Sequence, residues 1–147
     1  MGSTRGITFQ DKINVTNWVV NSELPQLRRL EKVLKPLVFV DLIQSNIDIT
    51  GQTLLHKSVT LGHYEITAFL LEKGVTVNSQ DNELRTCLHI AVDKSNTRFV
   101  ELLYKFGADP DRPNIHGATP RSRAKRFGMA HLFRVQRSYL RRTGIKS

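Results

Sequence analysis

The chain is poor in the residues that most site chemistry needs. A single cysteine, Cys87, stands among 147 residues, so no internal disulfide can form and no cysteine-based metal set can be assembled. No apolar run approaches the length that crosses a bilayer, and no secretory leader is expected at the start. The opening Met1-Gly2-Ser3-Thr4-Arg5-Gly6 begins like a myristoylation signal but has Gly6 where Ser or Thr is required. There is no Gly-rich phosphate loop and no nucleophile elbow, and His63, His116 and His131 lack a carboxylate or cysteine at ligand spacing. Catalysis, a cofactor, a bound metal, a small-molecule substrate and a membrane span are therefore not expected.

Negative charge is missing from one part of the chain. Residues 1–110 hold 12 Lys/Arg and 12 Asp/Glu, whereas residues 111–147 hold 10 Lys/Arg and only Asp111, so the whole net charge of +9 sits in the last quarter. What remains suits a folded protein: hydrophobic content is 39%, and the length fits one domain of three or four short units. Cys87 reads as a small core residue of a reduced intracellular protein, in the cytoplasm or the nucleus.

The strongest feature present is a repeat. Thr53, Thr86 and Thr119 recur at one constant spacing, Asp48, Asp81 and Asn114 recur at the same one, and the pairs His56/His89 and Gly74/Gly107 share it. A Thr just before an apolar helical run caps the orphan N–H groups of the first turn, so Thr53 and Thr86 mark helix starts. Gly62 turns the chain between two helices, and Gly74 and Gly107 stand where a helix needs a left-handed residue to stop it. In the second copy Leu84 replaces Gly51 and Ser95 replaces Gly62, so two of its turns depart from the pattern.

The copies, Thr53-Leu54-Leu55-His56 with Gly62 and Gly74, then Thr86-Cys87-Leu88-His89 with Gly107, resemble the ankyrin repeat. The resemblance implies an all-α solenoid of stacked helix-turn-helix units. Inner helices are expected at 54–61 and 87–94 and outer helices at 64–72 and 97–106, each pair burying an apolar face it cannot cover alone. The resemblance makes His56 and His89 structural, tying neighbouring repeats by hydrogen bonds, and places Asn78 at a loop position where some members are hydroxylated by an asparaginyl hydroxylase.

Before the first full copy, residues 1–11 read as a loose arm. Helical patterns follow at 12–20, with Ile13, Trp18 and Val19, and at 23–35, with Leu24, Leu27, Leu30 and Leu34. Pro25 suits the first turn of the second. The pair resembles a degenerate first repeat over 12–47. Residues 37–43 are six apolar out of seven, and periodicity leaves a short helix and a buried strand both open there. Full repeats are expected at 48–80 and 81–113. A basic closing repeat is expected at 114–147, with Arg121-Ser122-Arg123 in the place of Leu-His and an outer helix from 129 to about 142.

The resemblance implies a protein-binding module held by hairpin tips and the exposed side of the inner helices. Carried over by position, the candidates are Ile49, Thr50, Gln52, Thr60 and Leu61, then Asn82, Glu83, Arg85, Asp93 and Lys94, then His116, Ala118, Arg126 and Phe127. The partner would be another protein, and the chain an adaptor or a regulatory subunit; small chains of this build resemble the ankyrin inhibitors of cell-cycle kinases. A second reading assigns the basic end, Arg121, Arg123, Lys125, Arg126, Arg134, Arg137, Arg141, Arg142 and Lys146, to a nucleic acid, an anionic lipid or an acidic protein. Phe127, Phe133 and Tyr139 read there as packing residues, so base stacking is not indicated.

Overall fold

Thr8 opens the first helix. Its hydroxyl accepts the Asp11 N–H (3.1 Å) while the Asp11 carboxylate accepts the Thr8 N–H (2.9 Å), a reciprocal cap that satisfies two orphan donors. Helix α1 therefore runs Phe9–Val20, ahead of the expected start at Lys12. Residues 9–11 belong to the helix rather than to a loose arm. The cap is polar and lies outside the apolar period, which is why the period starts too late. The computed structural model describes residues 7–45 and 48–133. Every regular element among them is an α-helix, and the chain divides into two units, Met1–Thr76 and Val77–Ser147.

In the first unit α1 is followed by α2 (Leu24–Val33), with Pro25 in its first turn as expected. Pro36 ends that run by a known constraint. The residue before a proline is pushed out of the helical region, and Lys35 sits at φ −61°, ψ 145°. Pro36 then serves as the first residue of α3 (Pro36–Gln44), so the undecided run at 37–43 is a helix. Phe39, Leu42 and Ile43 are buried and Leu37 is exposed, a split that a strand buried on both faces would not show. The segment before the first full repeat thus carries three helices, not a pair.

Next come α4 (Leu54–Leu61) and α5 (Tyr64–Glu72), at the expected bounds. α1 packs against α2, α3 and α4, and α4 against α5. Val15, Val19, Leu27, Leu55, Ile66 and Leu70 are among the residues these contacts bury, and Phe39 meets Phe69 edge to face at 6.2 Å. Thr53 and His56 cap α4 reciprocally: the hydroxyl accepts the His56 N–H (3.4 Å) and the ring Nδ1 accepts the Thr53 N–H (3.2 Å). His63 ties α5 back to α1, its Nε2 lying 2.9 Å from the carbonyl of Val20.

The second unit repeats the arrangement with α6 (Cys87–Asp93), α7 (Thr97–Lys105) and α8 (Pro120–Arg126). α6 packs against both α7 and α8, and Leu88, Val92, Val100, Leu103 and Ala124 are fully buried. Leu55 and Leu88, one period apart, hold the second position of their respective helices and both are buried. Cys87 is buried, and desolvation pushes its thiol pKa far up, so it packs as a small apolar group.

The turns at the two irregular positions keep the family geometry without the family residue. Gly51 and Gly62 have φ of 74° and 77°, while Leu84 and Ser95, their counterparts, have φ of 56° and 51°. After α6 the N–H of Ser95 reaches the Val92 carbonyl (2.9 Å) and that of Asn96 the Ala91 carbonyl (3.0 Å), the same pair of bonds that Gly107 and Ala108 make after α7. The outer helix expected from 129 begins later: residues 129–131 still belong to the turn after Gly128 and helix is entered at 132, with Met129 and Phe133 buried and Leu132 half-buried, and its remainder lies outside the described residues.

Candidate interaction surface

Each hairpin tip of the second unit is built on one buried side-chain oxygen. Asp81 Oδ1 accepts the N–H groups of Glu83 and Arg85 (both 2.9 Å), and its other oxygen accepts from the Arg85 guanidinium (3.0 Å). Asn114, one period further on, does the same with its amide oxygen, accepting the N–H groups of His116 (2.9 Å) and Ala118 (3.0 Å). Both are almost wholly buried, so the loop folds around its acceptor and the intervening side chains point to solvent. Backbone joins the tips as well, the Ile115 N–H donating to the Glu83 carbonyl at 2.9 Å.

His89 fixes the tip to the helix beneath it. Its Nδ1 accepts the Thr86 N–H (3.0 Å), so the other ring nitrogen carries the proton and donates it to the Ala118 carbonyl (3.0 Å). This is the structural role that the resemblance implies. Asn78 is equally engaged. Its amide nitrogen donates to the Gly107 carbonyl (3.2 Å), its amide oxygen accepts the Asp109 N–H (2.8 Å), and its carbonyl accepts from Arg112 (3.3 Å). At this loop position, then, the side chain clasps the loop that follows α7.

The expected surface residues divide by what they touch. In the first unit Ile49 is 96% exposed, Leu61 is exposed and Gln52 half-buried. The Thr50 hydroxyl bonds to Asp48 and holds its carboxyl below the usual carboxylate range, and the Thr60 hydroxyl donates to the His56 carbonyl (2.8 Å). In the second unit Asn82, Glu83, Lys94, His116, Arg126 and Phe127 are exposed. Arg85 is tied to Asp81 and Glu83, Asp93 is paired with Arg123, and Ala118 is half-buried with its carbonyl on His89.

Two more side chains share this surface that the positional carry-over passed over. Leu84 is 46% and Ile115 59% exposed, one on each tip. Their signal was legible as an apolar residue inside a polar turn, and Ile115 stands two periods after Ile49 in the same register. Phe127 departs from its reading as a packing residue. It caps the end of α8 and is half-exposed, while Phe133 is buried against Tyr104 at 5.2 Å.

The basic set is less free than its sequence suggests. Arg121 makes a two-pronged bond to Asp111 (2.6 and 2.9 Å) and lies over the Phe133 ring, and that carboxylate pushes its pKa further up. Arg123 pairs with Asp93, whereas Lys125 and Arg126 are exposed. Arg134, Arg137, Tyr139, Arg141, Arg142 and Lys146 lie outside the described residues. Among the described residues no group of three or more His, Cys, Asp or Glu is placed to hold a metal.

Comparison with known proteins converges on the repeat. A family model for ankyrin repeats in three copies matches residues 28–114, more than half of the chain. The chain is 39% identical over 75 residues to the ARF GTPase-activating protein GIT1 of Homo sapiens, a match covering 50% of this chain and 10% of that protein. Identity is 35% over 79 residues with the E3 ubiquitin-protein ligase Ufd4 of Drosophila melanogaster, covering 54% and 3%. With ankyrin repeat protein 14 of Vaccinia virus (strain Western Reserve) it is 44% over 57 residues, covering 39% and 23%. The chain thus spans less than a quarter of each of these relatives, whose names share no single activity. Paired helices opened by Thr and closed by a left-handed residue, tips folded on Asp81 and Asn114, and the match over residues 28–114 give one conclusion: the chain belongs to the ankyrin-repeat family.

Proposed function

We propose that the chain is a non-catalytic protein-interaction module that works by occupancy, as an adaptor or as a regulatory subunit of the protein it grips. The observation that carries this reading is the pair of internally bonded tips in the second unit, which offer Leu84 and Ile115 as apolar anchors among Asn82, Glu83 and His116. An apolar centre with a polar rim on a rigid support suits a protein surface, because little ordering entropy is lost when a partner binds. The division into segments 12–47, 48–80, 81–113 and 114–147 goes with this reading, the last three carrying the candidate surface residues. A buried free thiol at Cys87 fits a reducing compartment, the cytoplasm or the nucleus. No helix among the described residues is long and apolar enough to cross a membrane.

The second reading, a basic end that binds nucleic acid or an acidic partner, draws on the charge in residues 111–147. Two of its arginines, Arg121 and Arg123, are already paired with Asp111 and Asp93, so among the described residues this reading draws on the exposed Lys125 and Arg126.

The test is a pull-down from native extract that compares wild type with Ile115→Asp on a tip and with Glu101→Lys on the exposed side of α7. A stoichiometric protein retained by wild type and Glu101→Lys but lost in Ile115→Asp supports the reading. Equal retention by all three removes the tips from the interface. Arg85→Glu is a poor probe, since it would dismantle the tip built on Asp81.

A further inference from the structure

The last turns of α6 and α8 carry information about the partner, and the inference that follows rests on the protein-binding reading above. The two helices pack side by side, and Asp93 is the only acidic residue in either of them. Arg123 takes up that charge. Among the described residues, Lys94, Lys125 and Arg126 follow or close these two helices and are exposed, with the half-exposed Phe127 directly after Arg126. The carbonyl ends of the helices favour cations here without discharging them, so the positive potential faces solvent.

We infer that this end of the second unit docks an acidic peptide segment, a run of Asp or Glu with an apolar residue among them. The carboxylates meet Lys94, Lys125 and Arg126, and the apolar side chain covers Phe127. Charge complementarity selects the sign, and the exposed aromatic selects a peptide over a nucleic acid. A phosphate backbone would use the cations, but a single aromatic gives no series of platforms for successive bases.

The experiment uses the full chain and a fluorescein-labelled peptide of glutamates interrupted by leucine, read by anisotropy over a salt series. The same peptide with lysines for glutamates, a single-stranded RNA and phosphatidylserine vesicles are the comparison probes. The acidic peptide is expected to bind, more weakly as salt rises. Lys94→Glu with Arg126→Glu should weaken it about tenfold, and Phe127→Ser should weaken it without changing the salt slope. The charge-removing pair Lys94→Gln and Arg126→Gln should give the same order in smaller steps, which keeps the test sound if charge reversal disturbs folding. Equal affinity in all variants, or binding of RNA or vesicles through these residues without binding of the peptide, overturns the inference. If the peptide fails while Ile115→Asp still releases the native partner, the acidic-peptide assignment falls alone and protein binding at the tips stands.

Discussion

Leu84 and Ser95 hold backbone conformations that glycine holds at the equivalent places in the preceding repeat. A side chain in the left-handed region costs roughly 1–2 kcal/mol, because Cβ approaches the neighbouring carbonyl. Glycine removes that strain but widens the unfolded ensemble, so Leu84→Gly and Ser95→Gly are each expected to stabilise the protein by about 0.5–1 kcal/mol in urea titration. The departures at these positions were plain in the sequence, and their outcome was not. Whether a turn survives a poor residue depends on the bonds around it, such as those Ser95 and Asn96 make to Val92 and Ala91. His89 yields a prediction in pH. Burial lowers its pKa from the ordinary 6.5, opposed by its bond to the Ala118 carbonyl. The folded protein therefore favours the neutral ring, and the unfolded chain binds the proton more readily. The contribution is present in full above the unfolded value and is lost as pH falls through the lowered folded value. The urea midpoint should drop as pH falls below the ordinary histidine value of 6.5, and His89→Gln should flatten that drop while lowering stability throughout.

At the scale of the element, the hairpin tip is one acceptor surrounded by amides. Asp81→Ala strips the partner from the N–H groups of Glu83 and Arg85 and from the Arg85 guanidinium, and is expected to cost about 2 kcal/mol in chemical denaturation. Asn114→Asp keeps the accepting oxygen and should cost much less than Asn114→Ala. The regular spacing of these residues was visible from the sequence, but their task was not. The spacing shows that these residues recur, but not that each oxygen bonds to amides a little further along its own loop. Helix bounds show the same division. α4 and α5 lie where the apolar period and Gly62 place them, α1 starts early on a polar cap, and α3 could not be told from a strand until Pro36 and the exposed Leu37 were placed. The candidate surface was half legible: Asn82, Glu83, Lys94 and His116 are exposed as their positions imply. Asp111–Arg121 and Asp93–Arg123 join different loops and helices, and are pairs that no helical spacing announces.

For the molecule as a whole, one register explains most of what is described. The same offset sets the capping Thr, the ring that answers it, the buried oxygen of each tip in the second unit and the left-handed residue that follows each of α4 to α8. Net charge follows a different logic, since the excess lies in the last quarter, where Arg121 pairs with Asp111 and Arg123 with Asp93 of α6. The central claim is that the tips are rigid because each is folded on its own buried acceptor, and the most direct measurement is amide hydrogen exchange on the full chain. The N–H groups of Glu83, Arg85, His116 and Ala118 should exchange slowly, in the range of the α6 amides, and Asp81→Ala should release those of Glu83 and Arg85 while His116 and Ala118 stay protected. Exchange of all four at the rate of an unstructured loop in the wild-type protein would contradict the account.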